Sequence, residues 1–148
     1  MSIGTLIGID PGKQTGISTY HDGVLVQLRT VSPSEVAEVL RASGATRVVM
    51  EDSRLQSAVF NRPVSQRAML KIARNVGEVD QICRRIEAVC ETAGIELVRV
   101  SPQRKGAKLN AARFKEITGW AGRSNQHERD AAMCAHPYRR AVEIRGLK

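Results

Sequence analysis

The chain has 148 residues, of which 42% are hydrophobic, so it is long enough to form one domain with a sizeable apolar core. Lys and Arg outnumber Asp and Glu by 23 to 15, and the resulting formal charge of +8 favours a polyanionic partner, nucleic acid first. Aromatic residues make up only 3% of the chain, which argues against a broad base-stacking surface. We therefore expect a single domain, residues 1–148, that binds nucleic acid mainly through phosphate contacts.

The cysteines and the N-terminus favour a reducing, cytoplasmic environment. Cys83, Cys90 and Cys134 are odd in number and lack the paired spacing of a disulfide framework or a zinc site. The first residues lack the basic segment of a signal peptide, and no apolar run reaches membrane-spanning length. The sequence thus predicts a cytoplasmic protein with no membrane partner, in which the cysteines are small core residues.

The first predicted strand is an apolar run at residues 6–10 that ends on Asp10 and turns at once through Pro11-Gly12. A carboxylate at the end of a buried strand lies where the sheet meets solvent. It can therefore hold a cation without the full cost of burying a charge. Asp10 is the first candidate metal ligand, although an acid at this position can also simply start a turn.

Two further β-prone runs follow, at residues 16–20 and 24–28. They flank His21-Asp22-Gly23, and an Asp-Gly pair between β-prone runs is a strong hairpin signal. The first three strands should therefore form an antiparallel meander.

A helix and a fourth strand come next in the chain. The helix opens at residues 32–35 with a capping Ser and an early Pro, and its apolar stripe ends at Gly44. Residues 47–52 then predict a buried strand that ends in two carboxylates, Glu51 and Asp52. This strand repeats the pattern seen at Asp10.

Residues 54–65 lack a periodic pattern and predict a loop. Apolar residues then recur every seven positions and predict one long amphipathic helix from about Gln66 to Ala93, closed by Gly94. The helix is longer than usual, so either it simply packs across the sheet or its surplus face serves a dimer. In a dimer, Ile72, Val79 and Ile86 would face the sheet. Ile82 and Val89 would then meet the partner.

The C-terminal third predicts a fifth strand at residues 95–100, a basic loop at 101–109, a short helix at 110–118 and a last helix that begins near Asn125. Its basic side chains could flank a site at the strand ends and neutralise phosphates, although each could also belong to a solvated surface. They are Arg104, Lys105, Lys108, Arg113 and Lys115.

The order of these elements is that of the ribonuclease H-like α/β fold, in which helices flank a central mixed five-stranded sheet. Three stretches also resemble the RuvC family of Holliday-junction resolvases across nearly the whole chain. They are residues 7–12 with Thr15-Gly16, then Glu51, then His127-Glu128-Arg129-Asp130-Ala131-Ala132. The resemblance implies a catalytic and metal-binding set that holds two Mg²⁺ ions, with Mn²⁺ as a substitute: Asp10, Glu51, His127 and Asp130. Many members of that family have Asp at the position of His127.

The chemistry of phosphodiester hydrolysis suits these residue types. Two divalent ions about 3.5 to 4 Å apart activate a water and stabilise the leaving oxygen. Mg²⁺ prefers oxygen ligands, and His127 and Asp130, three apart on a helix, share one face. Asp52 is the alternative metal ligand to Glu51. Glu128 is the alternative to a ligand of the His127 and Asp130 pair.

Two residues outside these sets are also predicted to contact nucleic acid. The resemblance implies a base contact from an aromatic residue in the loop after the catalytic Glu, and Phe60 lies in that loop, farther from Glu51 than is usual. Lys13 follows the Asp10 turn. The segment from Gly8 to Gln14 is too short between its glycines for a P-loop and lacks the required Ser or Thr, so no nucleotide cofactor is expected.

Together these features predict a Mg²⁺-dependent endonuclease that resolves four-way DNA junctions as a homodimer, by paired symmetric nicks. Two alternatives remain open. One is a monomeric RNA-processing nuclease on the same fold, of the kind proposed for pre-ribosomal RNA, and the other is a catalytically idle nucleic-acid-binding domain. Cleavage with Mg²⁺ separates the idle domain from the enzymes, and oligomeric state with junction cleavage separates the two enzymes.

Overall fold

The computed structural model describes residues 4–56, 65–102 and 108–140. In these ranges five strands form one sheet with the spatial order β3-β2-β1-β4-β5. The strands are β1 (Thr5–Asp10), β2 (Thr15–His21), β3 (Val24–Val31), β4 (Arg47–Glu51) and β5 (Glu96–Val100). The helices are α1 (Val36–Ser43), α2 (Gln66–Ala93), α3 (Ala111–Thr118) and α4 (Gln126–Ala135). The predicted α/β fold with a mixed five-stranded sheet and flanking helices is confirmed.

The first three strands form the predicted antiparallel meander. Asp22 and Gly23 make the turn between β2 and β3 with φ values of 49° and 84°. Two consecutive residues with positive φ match the right-handed twist of the two strands, which explains why Asp-Gly occupies this place. The meander therefore follows from local turn chemistry.

β1 pairs in parallel with β4, and β4 in parallel with β5. In the register of the first pair, Ile9 lies opposite Met50. The next residues, Asp10 and Glu51, therefore leave the sheet side by side at the same edge. This edge is where the predicted metal ligands begin to assemble.

The sheet has a hydrophobic core on each face. Along β1 the side chains alternate, so that Ile7 and Ile9 join the core under α1 and α2, whereas Leu6 joins the core under α3 and α4. The three cysteines are free and buried in these cores, as predicted. Burial raises the pKa of the Cys83 thiol to about 12 and that of Cys90 to about 11.

α2 has the predicted bounds, and Val79 and Ile86 pack against the core as predicted, but the other predicted assignments of its faces are wrong. Ile82 is 8% exposed and Val89 is packed against the same core, because α1 covers this side of the helix. Ile72, expected to face the sheet, is 37% exposed. Among the described residues, no side chain before Ile82 in α2 is buried. The N-terminal half therefore carries four exposed apolar side chains. Met69, Ile72 and Val76 share one face, which we call the apolar patch, and Leu70 lies on another face.

The length of α2 raises the question of a membrane span. Its sequence carries charged residues along its whole length. Neither α2 nor any other helix within the described ranges is both long and apolar enough to cross a bilayer.

Candidate active site

A cleft of about 700 Å³ opens at the sheet edge where β1 and β4 end. The four predicted metal ligands all line it, together with two of the predicted basic residues. The cleft lining comprises Asp10, Pro11, Gly12, Lys13, Gln14, Glu51, Pro102, Lys108, His127 and Asp130. Residues from both ends of the chain are thus brought into one place.

Two basic side chains lie beside the acidic side chains of the cleft. Nδ1 of His127 lies 3.6 Å from Oδ2 of Asp10, and Nζ of Lys108 lies 4.0 Å from Oδ2 of Asp130. The carboxylates are largely shielded, since the side chains of Asp10 and Asp130 are 16% and 11% exposed. Water screens such charges less than it screens surface pairs, so they act strongly on a ligand in the cleft.

The start of α4 places His127 and Asp130. Asn125 caps the helix by accepting a hydrogen bond of 2.9 Å from the backbone N–H of Glu128. The carboxylate of Glu128 in turn accepts from the backbone N–H of Asn125 at 3.0 Å and from the hydroxyl of Thr30 at 3.0 Å. This reciprocal capping box fixes where the helix begins and therefore which residues face the cleft.

Two glycines let α4 lie directly on the sheet. A Cβ at Gly16 would overlap the backbone carbonyl of His127, and a Cβ at Gly8 would overlap that of Ala131. Gly16 pairs with Asp10 across the β1–β2 ladder. The close approach of α4 to Gly16 therefore brings His127 within reach of Asp10.

Hydroxyl groups of β2 complete the contact between the sheet and α4. Ser18 donates a hydrogen bond of 3.1 Å to the carbonyl of Ala131, and Tyr20 donates one of 2.9 Å to the carbonyl of Ala132. Burial raises the pKa of Tyr20, so its hydroxyl stays protonated and able to donate. These bonds fix the position of α4 along β2.

Comparison with known proteins agrees with this architecture. No protein-family model matches the chain, and no curated protein sequence matches it. Among solved structures, T. thermophilus RuvC in complex with a Holliday junction substrate is similar, with a TM-score of 0.63 and 18% sequence identity over 97% of this chain and 96% of that one. The chain has a RuvC-like fold. At this identity the likeness concerns the fold alone.

Within the RuvC-like fold, Asp52 and Glu128 do not line the cleft. Asp52 is completely buried and accepts hydrogen bonds of 2.8 and 2.7 Å from the guanidinium of Arg54. Burial by itself would raise the pKa of Asp52, but the bonds from Arg54 outweigh this effect and lower it. Asp52 thus forms a structural ion pair, and Glu128 caps α4.

The donor types in the cleft suit a hard divalent ion, since they are three carboxylates and one imidazole with no thiolate. Their present spacing does not yet form a coordination shell. In the described part of the chain, no three His, Cys, Asp or Glu side chains are close enough together to hold one ion. The residue types therefore fit Mg²⁺ or Mn²⁺, while Asp10 and Asp130 are held in the contacts with His127 and Lys108 described above.

Two further residues position the site and were not among the sequence candidates. The side-chain amide of Gln126 donates a hydrogen bond of 2.8 Å to Oδ1 of Asp130. Its i, i+4 spacing from Asp130 on a helix is a sequence signal for such a bond. Gly16 belongs to the Thr15-Gly16 stretch of the family resemblance. Only the packing of α4 shows that a side chain at this position would keep the helix away from the sheet.

Arg129 connects α4 to the segment that carries Lys108. Its guanidinium donates to the carbonyl of Leu109 at 2.9 Å, to that of Ser124 at 2.8 Å and to the amide oxygen of Gln126 at 3.3 Å. Lys108 is thereby kept beside Asp130. The charge of Arg129 itself is directed at these carbonyls and not into the cleft.

The predicted nucleic-acid contacts are only partly grouped. Lys13 and Lys108 line the cleft, and both side chains are largely exposed. Arg113 pairs with Glu116 at 2.7 Å on the exposed face of α3, and neither Arg113 nor Lys115 lines the cleft. Three others lie outside the described residues: Phe60, Arg104 and Lys105.

Proposed function

We propose that this chain is a Mg²⁺-dependent endonuclease that resolves four-way DNA junctions. The observation that carries the proposal is the cleft, in which Asp10, Glu51, His127 and Asp130 meet at one edge of a RuvC-like sheet. The net charge of +8 supports a nucleic-acid substrate. The similar T. thermophilus RuvC was solved with a Holliday junction substrate, which supports branched DNA in particular.

In this proposal the three carboxylates and His127 hold two divalent ions, which activate a water and stabilise the leaving oxygen when bound. The residues of the chain prepare the site for them. Gln126 holds Oδ1 of Asp130, so the orientation of this carboxylate is set before a ligand arrives. Lys108 and Lys13 supply positive charge to the cleft, which offsets the negative charge that its three carboxylates present to a phosphate group.

A cleavage assay tests the function directly. The wild-type chain is incubated with a four-way DNA junction, duplex DNA, an RNA–DNA hybrid and single-stranded RNA, each with Mg²⁺ and with a chelator. We expect paired nicks in the junction, none with the chelator, and far slower cutting of duplex. Cutting of single-stranded RNA alone would favour the RNA-processing nuclease, and binding without any cutting would favour the idle domain.

Junction resolution also requires two active sites. One carboxylate cleft cuts one strand at a time, whereas a resolved junction carries two symmetric nicks, and a two-fold dimer matches the symmetry of the junction. The apolar patch on α2 supplies a surface for this dimer, because Met69, Ile72 and Val76 share one helix face and are all exposed. We propose that the apolar patch meets its copy in a second chain.

The dimer proposal predicts a mass near twice 16.2 kDa for the wild-type chain in solution. Replacing Ile72 and Val76 by Glu places like charges at the centre of the contact and should give a monomer, measured by light scattering. Val24→Glu with Val26→Glu is the matched control, since these two apolar residues of β3 are at least as exposed as Ile72 and Val76 and lie away from the patch. A wild-type chain that is monomeric both free and on junction DNA would contradict the dimer.

A further inference from the structure

A second cavity, of about 610 Å³, lies beside the cleft, between the turn after β1 and the N-terminal half of α2. Its charged lining residues are Lys13, Arg67, Lys71, Arg74 and Glu78, so four cations face a single carboxylate. Glu78 is already paired with Lys13, at 3.5 Å. In the described part of the chain, Arg67, Lys71 and Arg74 form no ion pair. We call this cavity the basic groove.

The three α2 cations form a straight row. Arg67, Lys71 and Arg74 are spaced i, i+4 and i+7, so they share one face of the helix. At 1.5 Å per residue the row is about 10 Å long. The three cations are thus about 5 Å apart on average, close enough for each to contact one of about three successive phosphates of a strand.

The basic groove is continuous with the cleft. Lys13 lines both cavities, and its side chain is 78% exposed and thus accessible from either. A strand whose phosphate lies among Asp10, Glu51 and Asp130 can therefore pass over Lys13 onto α2. The charge changes along this path from carboxylates, which suit metal ions, to cations, which suit phosphate.

We propose that the basic groove binds the phosphodiester backbone that flanks the cleaved bond, over about three nucleotides. This inference rests on the proposed nuclease function and adds a binding site for the substrate strand. The groove does not compete with dimerisation. Arg67, Lys71 and Arg74 lie on roughly the opposite side of α2 from Met69 and Val76.

The test is the salt dependence of junction binding in the Asp10→Asn background, which keeps the DNA uncut. One variant carries Arg67→Gln, Lys71→Gln and Arg74→Gln, which remove three charges and retain good helix formers. The matched control carries Arg41→Gln, Arg84→Gln and Arg85→Gln, three exposed arginines of α1 and α2 outside the groove. Both variants change the net charge equally.

The logarithm of the binding constant falls with the logarithm of the salt concentration, with a slope of about −0.9 for each phosphate contact. Loss of three contacts should therefore make this slope less steep by about 2 to 3 in the groove variant. The control should keep the wild-type slope. Glu78→Gln, which removes the single carboxylate of the groove, should tighten binding. An unchanged slope in the groove variant, or an equal loss in the control, would overturn the groove.

These outcomes are distinct from failure of the proposed function. Cleavage of the same junction by the wild-type chain is measured in parallel. If cleavage is normal while the groove variant binds like the control, the function stands and the groove does not. If the wild-type chain binds no nucleic acid, the proposed function fails, and the groove fails with it.

Discussion

Asp10→Asn and Asp130→Asn should each abolish Mg²⁺-dependent cleavage while nucleic-acid binding stays at wild-type strength or becomes tighter. Each change removes one carboxylate from the cleft and with it a negative charge beside the bound phosphate. Removing a residue that only hydrogen-bonds a metal ligand lowers metal affinity or activity by about 10- to 100-fold. Removing a ligand itself should therefore lower the cleavage rate by more than about 100-fold. Single-turnover cleavage and equilibrium binding on the same junction measure the two effects separately.

Glu128→Gln is the matched control, because it changes the same charge two residues away on α4. Gln also serves at the third position of a capping box, so the helix start should be retained. We expect this variant to cleave at the wild-type rate. Loss of cleavage with an unchanged melting temperature would make Glu128 a ligand instead of a cap, and full activity of Asp10→Asn would remove Asp10 from the site.

Gly16→Ala is expected to have the second largest effect. The new Cβ would overlap the backbone of His127, which has no flexible end that could give way, so the start of α4 must move off β2. Overpacking of this kind costs about 1 to 3 kcal/mol of stability. Misplacement of a site by about 1 Å costs about 100-fold in rate, and we expect a loss of this order.

Gly77→Ala provides the comparison for Gly16→Ala. A Cβ at Gly77 meets no described atom within 4 Å, and Ala is favoured over Gly inside a helix by about 0.5 to 1 kcal/mol. This variant should be slightly more stable and fully active. Urea denaturation gives the stabilities, and cleavage is compared at a temperature where both variants are folded. Wild-type cleavage by Gly16→Ala would show that the close contact with His127 is not needed.

The order and bounds of most elements could be predicted from the sequence because their signals are local. Asp22-Gly23 makes the hairpin turn wherever it stands between β-prone runs, and Gly94 ends α2 through its own left-handed conformation, with φ of 70°. Asn125 starts α4 through a bond to a neighbour three residues away. Such interactions need no information from distant parts of the chain.

The candidate site could be predicted in part for a related reason. Acids that follow buried parallel strands emerge at one sheet edge whatever else the chain does, which placed Asp10 and Glu51 together. The helix period placed His127 and Asp130 on one face. Residue types and the helix period favour these positions, the resemblance to the RuvC family names these four residues, and all of them line the cleft.

The choice between neighbouring acids, the covered face of α2 and the basic groove were decided only by tertiary structure. Arg54 pairs with the buried Asp52, and α1 packs over Ile82. The turn after β1 places Lys13 beside α2. Each outcome depends on how closely two elements far apart in the chain approach each other. That distance is set by packing volume, as at Gly16, where a single missing Cβ admits the backbone of His127.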